Sequence, residues 1–412
     1  DYKFSPETGG MYVSGIDITT PKDSELIING NGRTIDGAGN ATIFRFVNAN
    51  ATISNLVFKN SGRSAIILFN TTLKTVNVTF INNFDDEGGS SIYSVLGSKY
   101  TSVNDRFING YAPQGSAIFA RLSTAVIENA TFKNDKRIDW GLIYGRDSLI
   151  VINSTTIANI TSRYATAVYN TGYLIVTRSK FINLSANFTA GAIAAKEAKG
   201  VRVDNCEFIN VTSLRNGGAI FFDLNGDKGS SDANCIIYMS SFTNCSSEFG
   251  GAILQLGGIL NLSLSNFTRN TALVDGGAVY TSNATLEASG NIFDSNAASQ
   301  YFGSGGAIFF DYGSLEIEDS KFVNNTAWEG ASLYAYDAGY EITATNFTGD
   351  SNDTIHTYFD VKGSIIDEDV IINGNVTLND TYYGSYVNFT GKQIVLNRKT
   401  VRGNITDKYF NL

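Results

Sequence analysis

The sequence predicts an all-β fold, a right-handed parallel β-helix (β-solenoid) of about twelve coils, each of about 25 residues, with non-repeat caps at both ends. Three observations lead to this prediction. Two short signatures alternate along the chain, and their spacing is nearly constant. Each repeat also holds three short segments with the alternating, β-branched pattern that is typical of strands, whereas no window has a sustained helical period.

The two signatures differ in residue type. The first is a phenylalanine followed two or three residues later by an asparagine, and it begins at Phe80, Phe107, Phe132, Phe181, Phe208, Phe242, Phe267, Phe293 and Phe322. The second is a run of small residues that ends in an aliphatic residue, and it is clearest at Gly217-Gly218-Ala219-Ile220, Gly250-Gly251-Ala252-Ile253, Gly276-Gly277-Ala278-Val279 and Gly305-Gly306-Ala307-Ile308.

The aliphatic residue that closes the second signature gives the length of each repeat. Its positions are Ile66, Ile92, Ile118, Ile143, Val168, Ile193, Ile220, Ile253, Val279, Ile308 and Leu333. Successive positions differ by 26, 26, 25, 25, 25, 27, 33, 26, 29 and 25 residues. The step of 33 contains the polar, glycine-rich segment 223–233, which we predict to be a loop inserted in one coil.

Each recurring position of the repeat has a predicted structural role. Stacked coils pair their backbones at a spacing of about 4.8 Å, so the phenylalanines should form one internal ladder, in which Ile157 replaces phenylalanine once. The asparagines should occupy left-handed turn positions, and their amides should bond from coil to coil. The glycine pairs should form tight corners.

The repeat also defines the predicted domain boundaries. We expect an N-terminal cap over residues 1–25, the parallel β-helix over 26–372, and a C-terminal β cap or assembly segment over 373–412. An uncovered end of a β-helix is an exposed sheet edge, which pairs readily with another chain. The ends are therefore either blocked or used in assembly.

Composition and charge favour an exported protein. The chain has 412 residues, of which 43% are hydrophobic and 17% charged, and its net charge is −9. It has no basic stripe, so we expect no nucleic-acid partner, and no long apolar run, so we expect no membrane insertion. Since the chain has neither an initial methionine nor a signal peptide, we expect a mature product from which the signal was removed, located extracellularly or at the cell surface.

Glycosylation sequons point to the same compartment, whereas the cysteines leave two arrangements open. The three cysteines, Cys206, Cys235 and Cys245, are an odd number, so either Cys235 and Cys245 form a disulfide or the thiols are free and buried. Many asparagines begin an Asn-x-Ser/Thr sequon, which suggests a glycoprotein. The glycosylation candidates are Asn77, Asn129, Asn183, Asn261, Asn346 and Asn388.

Residues suited to catalysis or metal binding are sparse. His356 is the single histidine, which argues against a zinc site of the usual kind. The acidic triplet Asp85, Asp86 and Glu87 is a weak candidate for Ca²⁺, and the charged turn Asp135-Lys136-Arg137 with Asp139 lies one coil pair further on. We interpret both turns as solvated loops, and we expect no catalytic residue, no cofactor and no metal.

Aromatic residues are the more suggestive candidates for binding. Trp140 and Trp328 are the two tryptophans, and both fall at the repeat corner where Phe188 and Phe249 also fall. Aromatic side chains along one face can stack on sugar rings or pack against a partner protein. The alternative interpretation is that they fill local space beneath the turns.

The two signatures carry a family resemblance. The Gly-Gly-Ala-Ile and Phe-x-x-Asn motifs resemble the repeats of polymorphic outer-membrane-protein passengers. The run Asn-Val-Thr-Phe-Ile-Asn-Asn at residues 77–83 is more similar to the adhesin-like surface proteins of methanogenic archaea. The resemblance covers about residues 27–350 and implies a cell-surface, adhesin-type β-helix.

Three hypotheses about function follow. The first is a non-enzymatic, adhesin-like β-helix with a lateral surface that binds glycans or proteins of host or neighbouring cells. The second is a structural subunit that assembles with itself, end to end or by strand donation, into an extracellular filament or sheath. The third is a polysaccharide lyase or hydrolase that uses the turns at 85–87 and 135–139, since such enzymes need clustered carboxylates.

Overall fold

The chain is a parallel β-solenoid, as the repeat predicts. The structure, a computed structural model, describes residues 1–4, 14–133, 138–224, 233–348, 354–358, 364–367, 370–372, 376–379, 381–383, 388–389, 394–397 and 401–402. These residues form strands and turns, and no helix occurs among them. The chain divides into two compact units, Asp1–Val201 and Arg202–Leu412, and within each unit strands pair in parallel with strands of the next coil.

The strands are short, and most coils of the repeat contribute three. The strands within the first unit are β1 (Tyr2–Lys3), β2 (Ile16–Ile18), β3 (Leu26–Asp36), β4 (Phe44–Val47), β5 (Asn50–Lys59), β6 (Ile66–Phe69), β7 (Thr72–Val76), β8 (Thr79–Ile81), β9 (Ile92–Val95), β10 (Lys99–Val103), β11 (Arg106–Ile108), β12 (Ile118–Arg121), β13 (Thr124–Glu128), β14 (Thr131–Lys133), β15 (Ile138–Trp140), β16 (Ile143–Arg146), β17 (Leu149–Asn153), β18 (Thr156–Ala165), β19 (Val168–Asn170), β20 (Tyr173–Thr177), β21 (Lys180–Ala186) and β22 (Ile193–Lys196).

The next strand, β23 (Gly200–Asp204), includes the division between the units. The strands of the second unit are β24 (Glu207–Ser213), β25 (Ile220–Asp223), β26 (Asn234–Tyr238), β27 (Ser241–Thr243), β28 (Ser246–Ser247), β29 (Ile253–Leu256), β30 (Ile259–Ser263), β31 (Asn266–Thr268), β32 (Thr271–Ala272), β33 (Val279–Ser289), β34 (Ile292–Asp294), β35 (Ile308–Glu318), β36 (Lys321–Val323), β37 (Leu333–Thr343), β38 (Asn346–Thr348), β39 (Ile355–Tyr358), β40 (Ser364–Asp367), β41 (Ile371–Ile372), β42 (Val376–Asn379), β43 (Thr381–Tyr383), β44 (Asn388–Phe389), β45 (Ile394–Asn397) and β46 (Val401–Arg402).

The phenylalanine ladder is confirmed in both units. In the first unit Phe80 stacks on Phe107 at 5.1 Å between ring centroids, and Phe107 stacks on Phe132 at 4.9 Å. In the second unit the rings from Phe208 to Phe242, and onward to Phe347, stack at 4.7 to 4.9 Å. The rings are buried, so the ladder combines a large buried apolar area with offset stacking. Ile157, which replaces phenylalanine once in the ladder, keeps the register: it pairs with Phe132 on one side and with Phe181 on the other.

The turn chemistry is confirmed where asparagine comes two residues after phenylalanine, for example with φ of 52° at Asn82 and 54° at Asn244. Where asparagine comes three residues after phenylalanine, as at Asn270, the prediction is wrong, because the preceding residue takes the left-handed position (Arg269, φ 54°). The first glycine of each Gly-Gly pair also has positive φ, as in Gly250 at 62°, and a Cβ atom on Gly251 would lie 2.0 Å from the carbonyl oxygen of Gly277 in the next coil. Only glycine fits that approach.

Asparagine amides bond from coil to coil on the surface and inside. On the surface, Asn129 donates to the Oδ1 of Asn104 at 2.7 Å. Inside the second unit, Asn270, Asn296 and Asn325 are fully buried. Each of their Nδ2 atoms donates to the carbonyl oxygen of a ladder phenylalanine at 2.9 to 3.1 Å, and each Oδ1 accepts the backbone N–H of the preceding coil at 2.9 to 3.0 Å.

Cys245 occupies the next place in this internal asparagine ladder. Its Sγ lies 3.8 Å from the Phe208 carbonyl oxygen, which is the kind of acceptor that Asn270 uses one coil later. Cys206, Cys235 and Cys245 are buried free thiols in the structure, so of the two arrangements considered the Cys235–Cys245 disulfide is not the one formed. Burial raises the pKa of the Cys245 thiol to about 12, which keeps it protonated and unreactive at neutral pH.

The segments predicted as caps also take part in parallel pairing. Near the N-terminus, β1 pairs with β3 and β2 pairs with β4. Beyond residue 372, β42 pairs with β39 and β45, and β43 pairs with β40 and β46. The described strands of both segments therefore extend the ladder, and pairing does not change type at residues 25 or 372.

The internal asparagine ladder gives a stability prediction. Asn296→Ala would leave the Phe267 carbonyl, the Asn325 Oδ1 and both donors of Asn270 without this partner, so we expect a loss of about 3 kcal/mol or more. Cys245→Asn should instead add one rung and raise the stability by up to about 1 kcal/mol. Urea unfolding followed by circular dichroism measures both changes.

The matched control for these variants is the surface ladder. Asn129 has positive φ and one exposed amide bond, so Asn129→Gly keeps the backbone conformation and should change stability by less than about 0.5 kcal/mol. A loss for Asn296→Ala as small as that of Asn129→Gly would contradict a structural role for the internal ladder.

Candidate binding surfaces

The strand that follows the small-residue corner carries an aromatic residue on its outer face in several successive coils. In the first unit this row is Tyr93, Phe119, Tyr144 and Tyr169, which stack at 4.9, 5.6 and 5.0 Å between centroids. The register pairs them strand by strand, next to the inward-facing aliphatic ladder from Ile92 to Val168. Because successive residues of a strand point to opposite faces, the row faces away from the core.

Turns fold over part of this outer face and create a cavity of about 450 Å³ in the first unit. Its floor is the outer face of β6 and β9, with Phe69 next to Val95 in register. One wall is the turn that carries Asp85 and Glu87, and the opposite rim is formed by Leu96 and Leu122, with Arg121 at that end. A cavity of this size with mostly apolar walls and a few polar groups is typical of a small-molecule site.

The acidic triplet at 85–87 forms the turn wall of this cavity. Asp85 is buried, and its carboxylate accepts the N–H of Ser64, Glu87 and Gly88 and the hydroxyl of Ser64 at 2.7 to 3.0 Å. Asp86 and Glu87 are exposed and lie 3.3 and 3.9 Å from the Arg63 guanidinium. Asp85 therefore holds the turn, while Asp86 and Glu87 face Arg63 of the preceding coil. Within the described ranges no group of three or more histidine, cysteine or acidic side chains is placed to hold a metal ion.

Tyr93 lies between the charged ends of the cavity. Burial raises the pKa of its phenol, the carboxylates of Glu87 and Asp85 raise it further, and the Arg121 guanidinium lowers it. The Tyr93 ring therefore lies within reach of both acidic and basic groups of the cavity.

The four aromatic residues that the sequence places at one corner of the repeat have different surroundings in the two units. In the first unit Trp140 stacks on Tyr164 at 4.0 Å and Tyr164 on Phe188 at 5.5 Å, and the Arg163 guanidinium lies 5.0 Å from the Tyr164 centroid. Trp140 and Tyr164 are half-buried in this stack, which fits the packing interpretation, whereas Phe188 at its end is 39% exposed. In the second unit Phe249 packs edge-on against Tyr280, whereas Trp328 is 59% exposed.

Trp328 belongs to a larger exposed group, which we call the aromatic corner: Tyr301, Phe302 and Trp328. Tyr301 is 86% exposed and Phe302 is 65% exposed. The turn at 299–304 and the turn that carries Trp328 are joined by the Trp328 N–H, which donates to the carbonyl oxygens of Ser299 at 3.2 Å and Gly303 at 2.9 Å. Three large aromatic side chains are therefore held on two adjacent turns and face solvent.

Carboxylates flank the aromatic corner. Asp275 accepts the backbone N–H of Ser304 at 2.7 Å, at the end of the same turn. Desolvation raises the pKa of this half-buried carboxylate, the hydrogen bond lowers it, and the charge of Asp311 raises it. Glu329 follows Trp328 directly and is half-buried. The corner thus combines exposed rings with hydrogen-bond acceptors.

A second aromatic row lies beside the corner. Tyr280, Phe309, Tyr334 and His356 stack at 4.8, 5.3 and 5.4 Å between centroids. Desolvation, followed by the charges of Asp311 and Asp275, raises the pKa of Tyr280 to about 12. His356, the single histidine, is thus the last ring of this row in the described part of the unit.

Several predicted sites lie partly outside the described residues. These are Asp135, Lys136 and Arg137, residues 225–232 of the inserted loop, and the side chain of Asn388. Among the other glycosylation candidates, Asn77, Asn129 and Asn183 are exposed, and Asn261 and Asn346 are half-buried. Asp139 is also half-buried.

Sequence reasoning missed Tyr301, Phe302, Arg121, Leu96 and Leu122. The signal for the first two was the step of 29 residues between Val279 and Ile308, which lengthens the turn by three or four residues relative to its neighbours. The signal for the other three was the register itself, since outward-facing residues also recur at fixed distances from the closing aliphatic residue.

One buried titratable group lies apart from these surfaces, inside the first unit. Asp105 is fully buried and accepts hydrogen bonds from Thr75, Ser102 and the Val78 N–H, while the Thr75 hydroxyl also bonds the buried Tyr100 hydroxyl at 2.9 Å. Desolvation raises the pKa of Asp105 to about 6 even though the hydrogen bonds oppose it.

The raised pKa of Asp105 predicts how the stability of the fold depends on pH. Its pKa is 3.8 when unfolded and about 6 when folded, so the folded state binds the proton more tightly. The contribution of Asp105 to the free energy of unfolding is greatest below about pH 4. It falls as the pH rises through 6, by about 3 kcal/mol in total. Asp105→Asn should remove this loss, and unfolding of both proteins at a series of pH values measures it. Parallel pH profiles would contradict the prediction.

Comparisons with known proteins add no relatives. The chain matches no protein-family model and no curated protein sequence. The described residues contain no helix with the length and apolar character needed to cross a membrane.

Proposed function

We propose that the protein is a non-enzymatic, adhesin-like β-solenoid of the cell surface that binds glycans of host or neighbouring cells through the aromatic corner of its second unit. The observation that carries the proposal is the joint exposure of Tyr301, Phe302 and Trp328 on two adjacent turns. Large aromatic side chains that face water add nothing to stability, and several of them on adjacent turns indicate an interaction site.

The chemistry of the corner suits a sugar better than an apolar partner. Aromatic rings stack on the C–H faces of sugar rings, and carboxylates accept hydrogen bonds from sugar hydroxyls. The Asp275 carboxylate lies at the base of the turn and Glu329 adjoins Trp328. Both groups are only half-buried, which leaves them able to exchange a water for a hydroxyl group.

The non-enzymatic part of the proposal is supported by the way the chain uses its carboxylates. Asp85, the buried member of the predicted acidic triplet, accepts hydrogen bonds from three backbone N–H groups and one hydroxyl. A carboxylate that accepts four hydrogen bonds in this way is committed to holding the turns around it. Export and a surface location rest on the composition, the sequons and the resemblance.

The glycan proposal predicts the effect of removing one ring. Trp328→Ala should weaken glycan binding at least about tenfold, because it removes a stacking contact worth about 1.4 kcal/mol. The measurement is a glycan array with the whole chain, followed by isothermal titration calorimetry with the strongest ligand.

The control removes an exposed aromatic residue from a different sheet of the same unit. Tyr238 lies on β26 and is 37% exposed, so Tyr238→Ala should leave glycan affinity unchanged. The proposal is wrong if the array shows no binding, or if both variants bind like the unchanged protein.

A second candidate function, self-assembly, is favoured by the described N-terminal strands. Leu26 and Ile28 of β3 are only half-buried, although their register partners Ala51 and Ile53 are buried. Ile27 and Ile16 are also exposed, at 70% and 48%. Apolar residues on an incompletely covered coil provide a surface on which another chain can stack.

Assembly predicts a concentration dependence. Light scattering of the whole chain should show growing particle mass with concentration, and negative-stain images should show filaments or sheets. Removal of residues 373–412 should then abolish growth if the C-terminal strands form the other half of the contact. A single particle mass at all concentrations would count against assembly.

A further inference from the structure

We propose that the cavity of the first unit is a binding site for a small amphipathic anion. Its apolar body lies against Phe69, Tyr93 and Val95, and its acidic group lies at the edge of the cavity, on the lining residue Arg121 and on Arg146, the register partner of Arg121 one strand beyond the lining. This inference does not rest on the proposed glycan site, because it concerns different residues in the other unit. Three features at and beside the cavity carry it: two arginines in register that pair with no carboxylate among the described residues, an apolar floor, and a rim of leucines in a disfavoured backbone conformation.

The arginine pair is the first feature. Arg121 and Arg146 are direct register partners on adjacent parallel strands, and both side chains are exposed. Like charges placed opposite each other on a sheet destabilise it. Neither guanidinium lies within 4.0 Å of a carboxylate in the part of the chain that the structure describes, whereas Arg63 at the other end of the cavity faces Asp86 and Glu87.

The apolar floor is the second feature. Phe69, Val95 and Arg121 succeed one another in one row of register partners, so the floor changes from apolar to basic between adjacent strands. Adjacent parallel strands are about 4.8 Å apart. A ligand that spans two adjacent strands would therefore contact an apolar surface and a cation in one site.

The leucine rim is the third feature. Leu96 and Leu122 have φ values of 56° and 50°, in the left-handed region, and are 61% and 52% exposed. The same turn position is Asn70 in the coil before and Asp147 in the coil after, residues that tolerate this conformation. At this turn position the exposed leucine side chains would close an apolar cavity over a ligand.

The chemistry of recognition follows from these features. A carboxylate or a sulfate can accept paired N–H bonds from a guanidinium, which is stronger and more directional than a contact to lysine. The cavity volume of about 450 Å³ suits a ligand with one ring or a short aliphatic chain. Carboxylate and sulfate share this chemistry, and the experiment must separate them.

The experiment uses isothermal titration calorimetry of the whole chain with a set of probes. Phenylacetate and phenyl sulfate carry an anionic group on an apolar ring, 2-phenylethanol has the ring without the charge, and acetate has the charge without the ring. We expect one or both aromatic anions to bind at least about tenfold more tightly than 2-phenylethanol and acetate. The tighter of the two aromatic anions identifies the acidic group.

Variants locate the site. Arg121→Gln and Arg146→Gln should each weaken binding of the better probe at least about tenfold. Leu122→Asn should also weaken it, and because asparagine is the residue at position 70 this variant should fold. Arg106→Gln, which removes an exposed arginine from β11 in the same unit, is the matched control and should bind unchanged.

Each remaining outcome overturns the inference. No binding of either aromatic anion means that the cavity is not an anion site. Equal binding of 2-phenylethanol means that the arginines do not take part, and equal binding of acetate means that the apolar floor does not. Equal loss of affinity in Arg106→Gln would show that general surface charge, and not this cavity, attracts the anions.

Discussion

The structure depends on the stacking of equivalent residues in register from one coil to the next. Each strand of a coil pairs in parallel with strands about 25 residues away, so that phenylalanine lies on phenylalanine and asparagine on asparagine. This places like groups at the spacing of a β-sheet, which suits apolar rings and amides that can both donate and accept. The internal asparagine ladder shows how strict the constraint is, since each amide satisfies both a backbone donor and a backbone acceptor.

The same stacking is unfavourable for like charges, and for that reason charged register pairs are informative. Arg121 and Arg146 repeat a positive charge on neighbouring strands, which the fold does not require. Exposed rings at Tyr301, Phe302 and Trp328 are a comparable departure, because the core ladder already buries its aromatic residues. In a protein whose inward positions are fixed by repetition, these outward departures from the repeat are the best indicators of function.

The two proposed sites use different parts of the coil. The cavity of the first unit is built from the outer face of the strands, closed by turn residues, and can enclose a small ligand. The aromatic corner of the second unit is built on two turns and presents its rings outward, which suits an extended ligand such as a glycan chain. Turns tolerate insertion without loss of the ladder, because the backbone pairing of the strands on either side is unaffected.

The sequence by itself determined the parallel β-solenoid, the register, the phenylalanine ladder, the left-handed asparagines and the glycine corners, since each follows from repetition and local backbone preference. It also identified Trp328 as a candidate for binding. Only the tertiary structure decided that Trp140 is covered by Tyr164 while Trp328 joins Tyr301 and Phe302, that Asp85 belongs to its turn, and that Arg121 lies beside an apolar cavity. The reason is physical: strand alternation fixes which face a side chain takes, but its exposure depends on how the turns of neighbouring coils fold over that face, and turn conformation is not set by the period of the repeat.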